Sequence, residues 1–401
     1  MDKKLTSARL RNGKSSLLMI TGLALSFGCH KSNINDKDLR DFTVVNLVAN
    51  SAEYHPKQPL DPTLINGFGI AWSSSANAIA WVNSVGGHVS ELYNSEGVIV
   101  RKPVNIPSPT DTIGGLPCGI VFSGGKGFTL PNGPAAFIFT GFDGVLSGWN
   151  PGAGNNAIRL NNPDAARHTS YTGLAIGATG GRNYIYGANF GEGKIDVWDT
   201  AFRPVAMSFK DPGLPWGYSP YNIQAVGNYL FVVYGILGAD GHGVAGPGKG
   251  IVSVFNMDGS LVRRFATRGT LNLPWGVTMA PGSFLEDQDM GEDGDDNAGT
   301  KIVTAYGGNS DNGNSGRQVR HDPKDPVILV GNFGDGRINV YTQDGRFLGQ
   351  LQSHRHPIVI EGLWALSFPP STATAIDPAR LYFSAGPDKE ADGVFGYLIK
   401  K

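Results

Sequence analysis

The chain has 401 residues, of which 57 are glycine, about twice the usual share of about 7%, so a mainly helical protein is excluded. Apolar residues make up 40% and charged residues 17%, enough to bury a large core and too few charges for a disordered chain. A formal net charge of −1 removes the basic surface that binding along a polyanion requires, so nucleic acid is not an expected partner.

The N-terminus reads as an address. Lys3, Lys4, Arg9, Arg11 and Lys14 stand against one acid, Asp2, and are followed by the apolar run Leu17 to Leu25. This is the layout of a signal peptide, assigned to residues 1–28, and it is far short of the roughly 20 apolar residues that span a bilayer. The run ends in Ser26-Phe27-Gly28-Cys29, which resembles the lipobox of bacterial lipoproteins, with Ser26 departing from the usual leucine. The resemblance implies lipidation of Cys29 and a membrane partner through that lipid. The alternative is a secretory signal cut near Gly28. His30 is not the aspartate associated with inner-membrane retention, so the expected address is the bacterial cell envelope, at the outer membrane or cell surface. Residues 29–41 are polar, without an apolar period, and read as a flexible tether. With Cys29 lipidated, Cys118 is left as a lone thiol, read as a small buried hydrophobe.

Six copies of one unit follow, each with three strand-like segments of alternating character. They open at NGFGIAW (66–72), LPCGIVF (116–122), YTGLAIG (171–177), YNIQAVG (221–227), PWGVTMA (274–280) and EGLWALSF (361–368). The run Ala188-Asn189-Phe190-Gly191-Glu192-Gly193-Lys194-Ile195-Asp196-Val197 is echoed by Gly331-Asn332-Phe333-Gly334-Asp335-Gly336-Arg337-Ile338-Asn339-Val340. Glycine at such tips supplies the positive φ of a tight hairpin. A small sheet repeated six times cannot bury both of its own faces, and packing sheet against sheet in a ring solves this. The expected fold is all-β, a six-bladed β-propeller over residues 42–401. The strand-like Phe42 to Asn50 is expected to close the sixth blade as its outer strand, which removes an exposed edge.

The blade pattern resembles NHL-repeat propellers. The succession DFTVVNLVAN, ANFGEGKIDVWD, DPGLPWGYSPYNIQ, LNLPWGV and VGNFGDGRI is similar to a family of exported bacterial propellers known only as conserved uncharacterised proteins. The resemblance implies a fold and no established activity. LPCG, where a threonine before the glycine is expected, and a long acidic insertion depart from the pattern.

In a propeller the innermost strands begin at the central channel. Phe68, Cys118, Thr172, Asn222, Trp275 and Trp364 are therefore expected to ring its mouth. Two indoles and a carboxamide suit stacking on a flat or sugar-like ligand, although the same side chains would serve as a plug. Asn66, Asn222, Gln224 and Glu361 are the candidate ligands for a metal, with calcium as the candidate cofactor. His88, His168, His321, His354 and His356 are scattered over tips and loops, and Asp240 with His242 reads as a polar loop. The acidic run from Glu286 to Asp296 fails the EF-hand spacing, because Gly291 and Thr300 fall at positions three and twelve counted from Asp289. It reads as part of a surface insertion at about 285–325. Gly246-Pro247-Gly248-Lys249-Gly250 leads into a strand rather than a helix, which excludes a phosphate loop. The expected function is an envelope-anchored monomeric module that binds a protein, peptide or glycan. The alternative is a calcium-type hydrolase or lyase with its site in the channel.

Overall fold

The computed structural model describes residues 33–125, 127–164, 166–286 and 324–401. Cys29, the signal segment, His321 and most of the acidic insertion lie outside the described residues.

Six antiparallel sheets follow one another along the chain. Blade 1 comprises Gly67–Trp72, Ala80–Ser84, Val89–Tyr93 and the short outer pair Val104–Asn105. Blade 2 comprises Pro117–Phe122, Phe137–Gly141, Leu146–Trp149 and Ile158–Arg159. Blade 3 has three strands, Tyr171–Thr179, Arg182–Asn189 and Lys194–Trp198. Blade 4 comprises Tyr218–Val226, Tyr229–Ile236, Ile251–Asn256 and Leu261–Thr267. Blade 5 comprises Pro274–Ala280, Val327–Asn332, Ile338–Tyr341 and Phe347–Gln350. Blade 6 takes Leu363–Ser367, Leu381–Ala385 and Val394–Lys400 from the C-terminus and Phe42–Ala49 from the N-terminal side. The innermost strand of each blade packs against that of the next, and the sixth packs against the first. The protein is a six-bladed β-propeller.

The closing strand pairs antiparallel from Phe42 opposite Lys400 to Ala49 opposite Val394, as its apolar alternation predicts. Each junction between blades holds its own apolar cluster. Trp81, Phe137, Phe139 and Trp149 fill the one between blades 1 and 2, and Tyr186, Ile223, Leu230 and Phe255 the one between blades 3 and 4. Sheets buried on both faces explain why the central strands read as nearly continuous apolar runs.

Two expectations need correction. The repeat pattern gave three strands per copy, yet blades 1, 2, 4 and 5 carry a fourth. These outer strands are half exposed and polar, such as Leu261–Thr267 with Arg263 and Arg264, so the backbone ladder places them rather than an apolar period. In blade 3 the equivalent segment holds Asp199 N–H to Arg203 O at 3.0 Å and Val205 N–H to Val197 O at 2.8 Å, on either side of Pro204, which has no donor. Secondly, the part of the expected tether that is described, residues 33–41, packs onto the body. Asn35 caps the turn Asp36–Leu39, Leu39 is fully buried in the cluster between blades 5 and 6, and Asp38 pairs with Lys324 at 3.1 Å. Leu39 and the partly buried Ile34 thus seat a segment of polar composition on the body, with the cap and the ion pair beside them.

The connection from blade 6 to blade 1 is pinned by buried acids. Thr63 Oγ1 lies 2.7 Å from both Asp61 Oδ1 and Glu91 Oε1, and Tyr93 O–H donates to Asp61 Oδ2 at 2.8 Å. Burial, reinforced by the Asp61 charge, pushes the Glu91 carboxyl up to about 7. A group whose folded pKa lies above its unfolded value of about 4.3 contributes stability below the lower value and loses it as pH rises towards the upper one. The melting temperature of Glu91→Gln is therefore expected to fall less between pH 4.5 and 7 than that of the parent, as thermal unfolding at the two pH values would show.

Candidate functional site

At the start of every innermost strand the register with the second strand slips. Such a bulge breaks the alternation of side chains and re-aims the extra residue. The residues in the slips include Phe68, Cys118, Thr172, Tyr221, Trp275 and Trp364. The glycines beside them allow close approach of the strands. A Cβ on Gly119 would stand 2.7 Å from Leu174 N, and one on Gly276 would stand 2.7 Å from Trp364 O.

Five of the six expected ring residues occupy these slots, and blade 4 is the exception. There Tyr221 takes the axial place, while Asn222 aligns with the glycines and turns into the strand layer, donating to Trp275 O at 2.8 Å. A slip of one residue exchanges the two faces of a strand. The signal was present in the sequence, since Pro220-Tyr221-Asn222-Ile223 lines up with Pro274-Trp275-Gly276-Val277.

The ring is closed rather than open. Phe68 stacks on Trp364 at 3.9 Å between centroids, and Trp275 meets Phe68 edge-on at 5.1 Å. Trp275 Nε1–H donates to Thr172 O at 2.9 Å. Cys118 is fully buried, which pushes its thiol well above the ordinary range. A second tier, not anticipated from the sequence, lies over this one. Val85, Phe142, Phe190, Leu237 and Phe333 follow the second strands of blades 1 to 5 and pack into the same axial cluster. Phe333 stacks on Trp364 at 4.0 Å. Phe190 and Phe333 hold the same place in the two matching hairpins, and that repetition was the available signal.

A cavity of about 350 Å³ opens above the plug, on the face where the innermost strands begin. Phe142, Phe190, Tyr221 and Trp364 supply its apolar surface, and Asp240, His242 and Glu390 its charged groups, with Asn66 and Ser170 between them. Asn66 joins wall to floor. Its Oδ1 accepts from Trp364 Nε1 at 2.8 Å and its Nδ2 donates to Glu390 Oε2 at 2.8 Å. Glu390 is carried by three consecutive left-handed residues, Asp388, Lys389 and Glu390, with φ of 50°, 54° and 72°. Non-glycine residues in that region cost of order 1–3 kcal/mol each and persist where surrounding structure imposes them. Burial raises the Glu390 carboxyl, against the opposing influence of the Asn66 hydrogen bond and the His242 charge.

The four candidate metal ligands do not converge. Asn66 is engaged as above, and Asn222 lies in the strand layer. Gln224 Oε1 accepts from Val277 N at 3.2 Å, bridging blades 4 and 5. Glu361 is exposed and its Oε1 accepts from Asp388 N at 3.2 Å, so it supports the turn that presents Glu390. Spacing along a chain does not show which way a side chain faces, and these four face separate neighbours. His88 is tied by Nδ1 to Gly115 O at 2.9 Å and His354 touches Ser353, away from the cavity walls. Among the described residues no group of three or more His, Cys, Asp and Glu side chains is arranged to hold a metal.

Fold and site together define a termini-closed six-bladed propeller with an aromatic axial plug and one polar cavity above it. The uncharacterized protein L690 of Acanthamoeba polyphaga mimivirus is 30% identical over 364 residues, covering 85% of this chain and 81% of the viral protein. The chain belongs to that family. A second mimivirus protein, uncharacterized protein R648, is 27% identical over 354 residues, covering 85% and 76% of the two chains. These relatives are viral, whereas the sequence resemblance pointed to bacterial proteins. No known family profile matches the chain. Among solved structures, a streptogramin B lyase superposes with a TM-score of 0.47 at 12% identity, over 89% of this chain and 97% of that one.

Asn66 has a φ of 49°, so replacing it with glycine keeps the backbone and removes only the side-chain bonds. Asn66→Gly leaves the buried Trp364 indole without its acceptor, and the expected loss is about 1–3 kcal/mol in urea unfolding.

Proposed function

We propose that this propeller is a binding module whose ligand, a glycan or a segment of a peptide or protein, enters the axial cavity. One observation carries the reading. Tyr221 is 4% exposed and lines the cavity, yet its hydroxyl has no hydrogen-bond partner among the described residues. The hydroxyl is presented at the cavity surface, where a ligand can supply the partner, and a hydrogen bond made there contributes about 0.5–1.5 kcal/mol. Among the described residues Asn66 holds Glu390 through Oε2, which leaves Oε1 to accept from a ligand. The strain in the turn beneath Glu390 supports the same reading, because residues so held gather at ligand clamps. The plug supplies a rigid floor, which lowers the ordering cost of binding.

Screening small polar compounds by thermal shift tests this. Compounds that raise the melting temperature of the parent are expected to lose that effect in both Tyr221→Phe and Glu390→Gln, with the unliganded variants melting close to the parent. Stabilisation unaffected by either substitution would place binding elsewhere.

We also propose that the module is held at an envelope by lipid on Cys29, a reading supported by the basic segment, the apolar run and Gly28-Cys29. Two signals are ordinarily needed for stable anchoring when a single acyl chain is used, and a diacylglyceryl group supplies two chains. Expressed in a bacterium, the parent is expected in the membrane fraction and Cys29→Ser in the soluble fraction.

A further inference from the structure

Resting on the cavity being a ligand site, we propose that its ligand is the end of an uncharged oligosaccharide, with one pyranose on the aromatic floor and the following units stacked on Trp216.

Charge is the first argument. The titratable groups of the cavity wall are Asp240, His242 and Glu390, and neither lysine nor arginine lines it. An anionic ligand, whether a phosphate, a nucleotide or a uronic acid, would meet two carboxylates, with one imidazole, His242, and no lysine or arginine to offset them. Hydrogen-bonding capacity is the second. Tyr221 O–H and Ser170 O–H can donate, while Glu390 Oε1 and Asp240 can accept. A ligand matching this wall must both donate and accept over a few ångströms, as sugar hydroxyls do and a simple amine or an acyl chain does not. The floor is the third. Phe142 is the half-buried ring of the lining and offers apolar surface to the C–H face of a pyranose, beside Tyr221 and Trp364, whose indole is itself stacked between Phe68 and Phe333. The volume falls within the range of about 300–1,000 Å³ typical of small-molecule sites.

Trp216 indicates that the ligand extends beyond the cavity. It is 100% exposed, in a chain whose other indoles pack within the cores. It belongs to the segment leading into the innermost strand of blade 4, so it stands on the face where the cavity opens. Gly217 O accepts from Leu237 N at 3.0 Å, and Leu237 belongs to the second axial tier. The turn that presents the indole is closed by Tyr218 N–H to Pro215 O and by Gly217 at a φ of 87°. The residue after the indole is therefore tied to Leu237, which leads into the loop that carries Asp240 and His242. An exposed indole held near a sugar-sized cavity is suited to stacking on the next ring of a chain.

Titration calorimetry on the full chain tests the proposal with cellotetraose, maltotetraose, chitotetraose and mannotetraose, their monosaccharides, and tetragalacturonate and tetralysine as charged probes. At least one neutral tetrasaccharide is expected to bind at up to about 10 mM. Trp216→Ala is expected to weaken it by about tenfold while changing monosaccharide binding by less than about twofold, and Tyr221→Phe to weaken both. Binding of tetragalacturonate or tetralysine with no neutral sugar would overturn the saccharide assignment and leave the cavity as a site for another ligand. Neutral-sugar binding indifferent to both substitutions would overturn it too. If no probe binds, the saccharide assignment fails, and the thermal-shift screen decides separately whether the cavity is a ligand site.

Discussion

Six innermost strands must meet around one axis, and the space between them admits almost no side chain on the faces where neighbouring backbones touch. Gly119 against Leu174 and Gly276 against Trp364 are the direct expression of this limit. The residue beside each glycine cannot remain in the pleat, so a bulge turns it to the axis. Large residues at those places then fill the channel that the backbones leave. The aromatic plug is thus a consequence of close approach, and the cavity above it has a floor because the plug is full.

Closure of the ring makes this floor rigid. Pairing of Phe42–Ala49 with Val394–Lys400 joins the two ends of the propeller into one sheet, and it covers the edge of Val394–Lys400 with Phe42–Ala49 as the outer strand. Blade 6 also carries Trp364 and the left-handed turn ending in Glu390, so the strand that closes the ring supports two elements of the site. Glu361 and Asn66, on neighbouring connections, hold that turn through hydrogen bonds to Asp388 N and Glu390 Oε2. The site is assembled from the connections between strands of different blades.

Most of the fold was legible in the sequence because alternation and glycine tips are local signals, set by the pleat and by φ. The six inner strands and the closing strand have them. The polar outer strands, such as Leu261–Thr267, do not, and neither does the turn Asp36–Leu39, which is held by its cap, an ion pair and the buried Leu39. At the candidate site, five of six axial positions followed from the repeat, and the sixth was displaced by one residue, from Tyr221 to Asn222. The second tier of Phe142, Phe190 and Phe333 was within reach of the same alignment.

The sequence by itself determined the number of blades, the closing strand and the aromatic character of the axis, since each depends on residues close together in the chain or on a period they repeat. Only the tertiary structure decided that the ring is a plug instead of an open mouth. It also decided that Asn66, Glu390 and Tyr221 share one cavity, and that Glu361 supports a turn instead of facing the axis. Those facts depend on which direction side chains from different blades face once bulges have shifted the register, and a one-residue shift reverses that direction while leaving the local pattern intact.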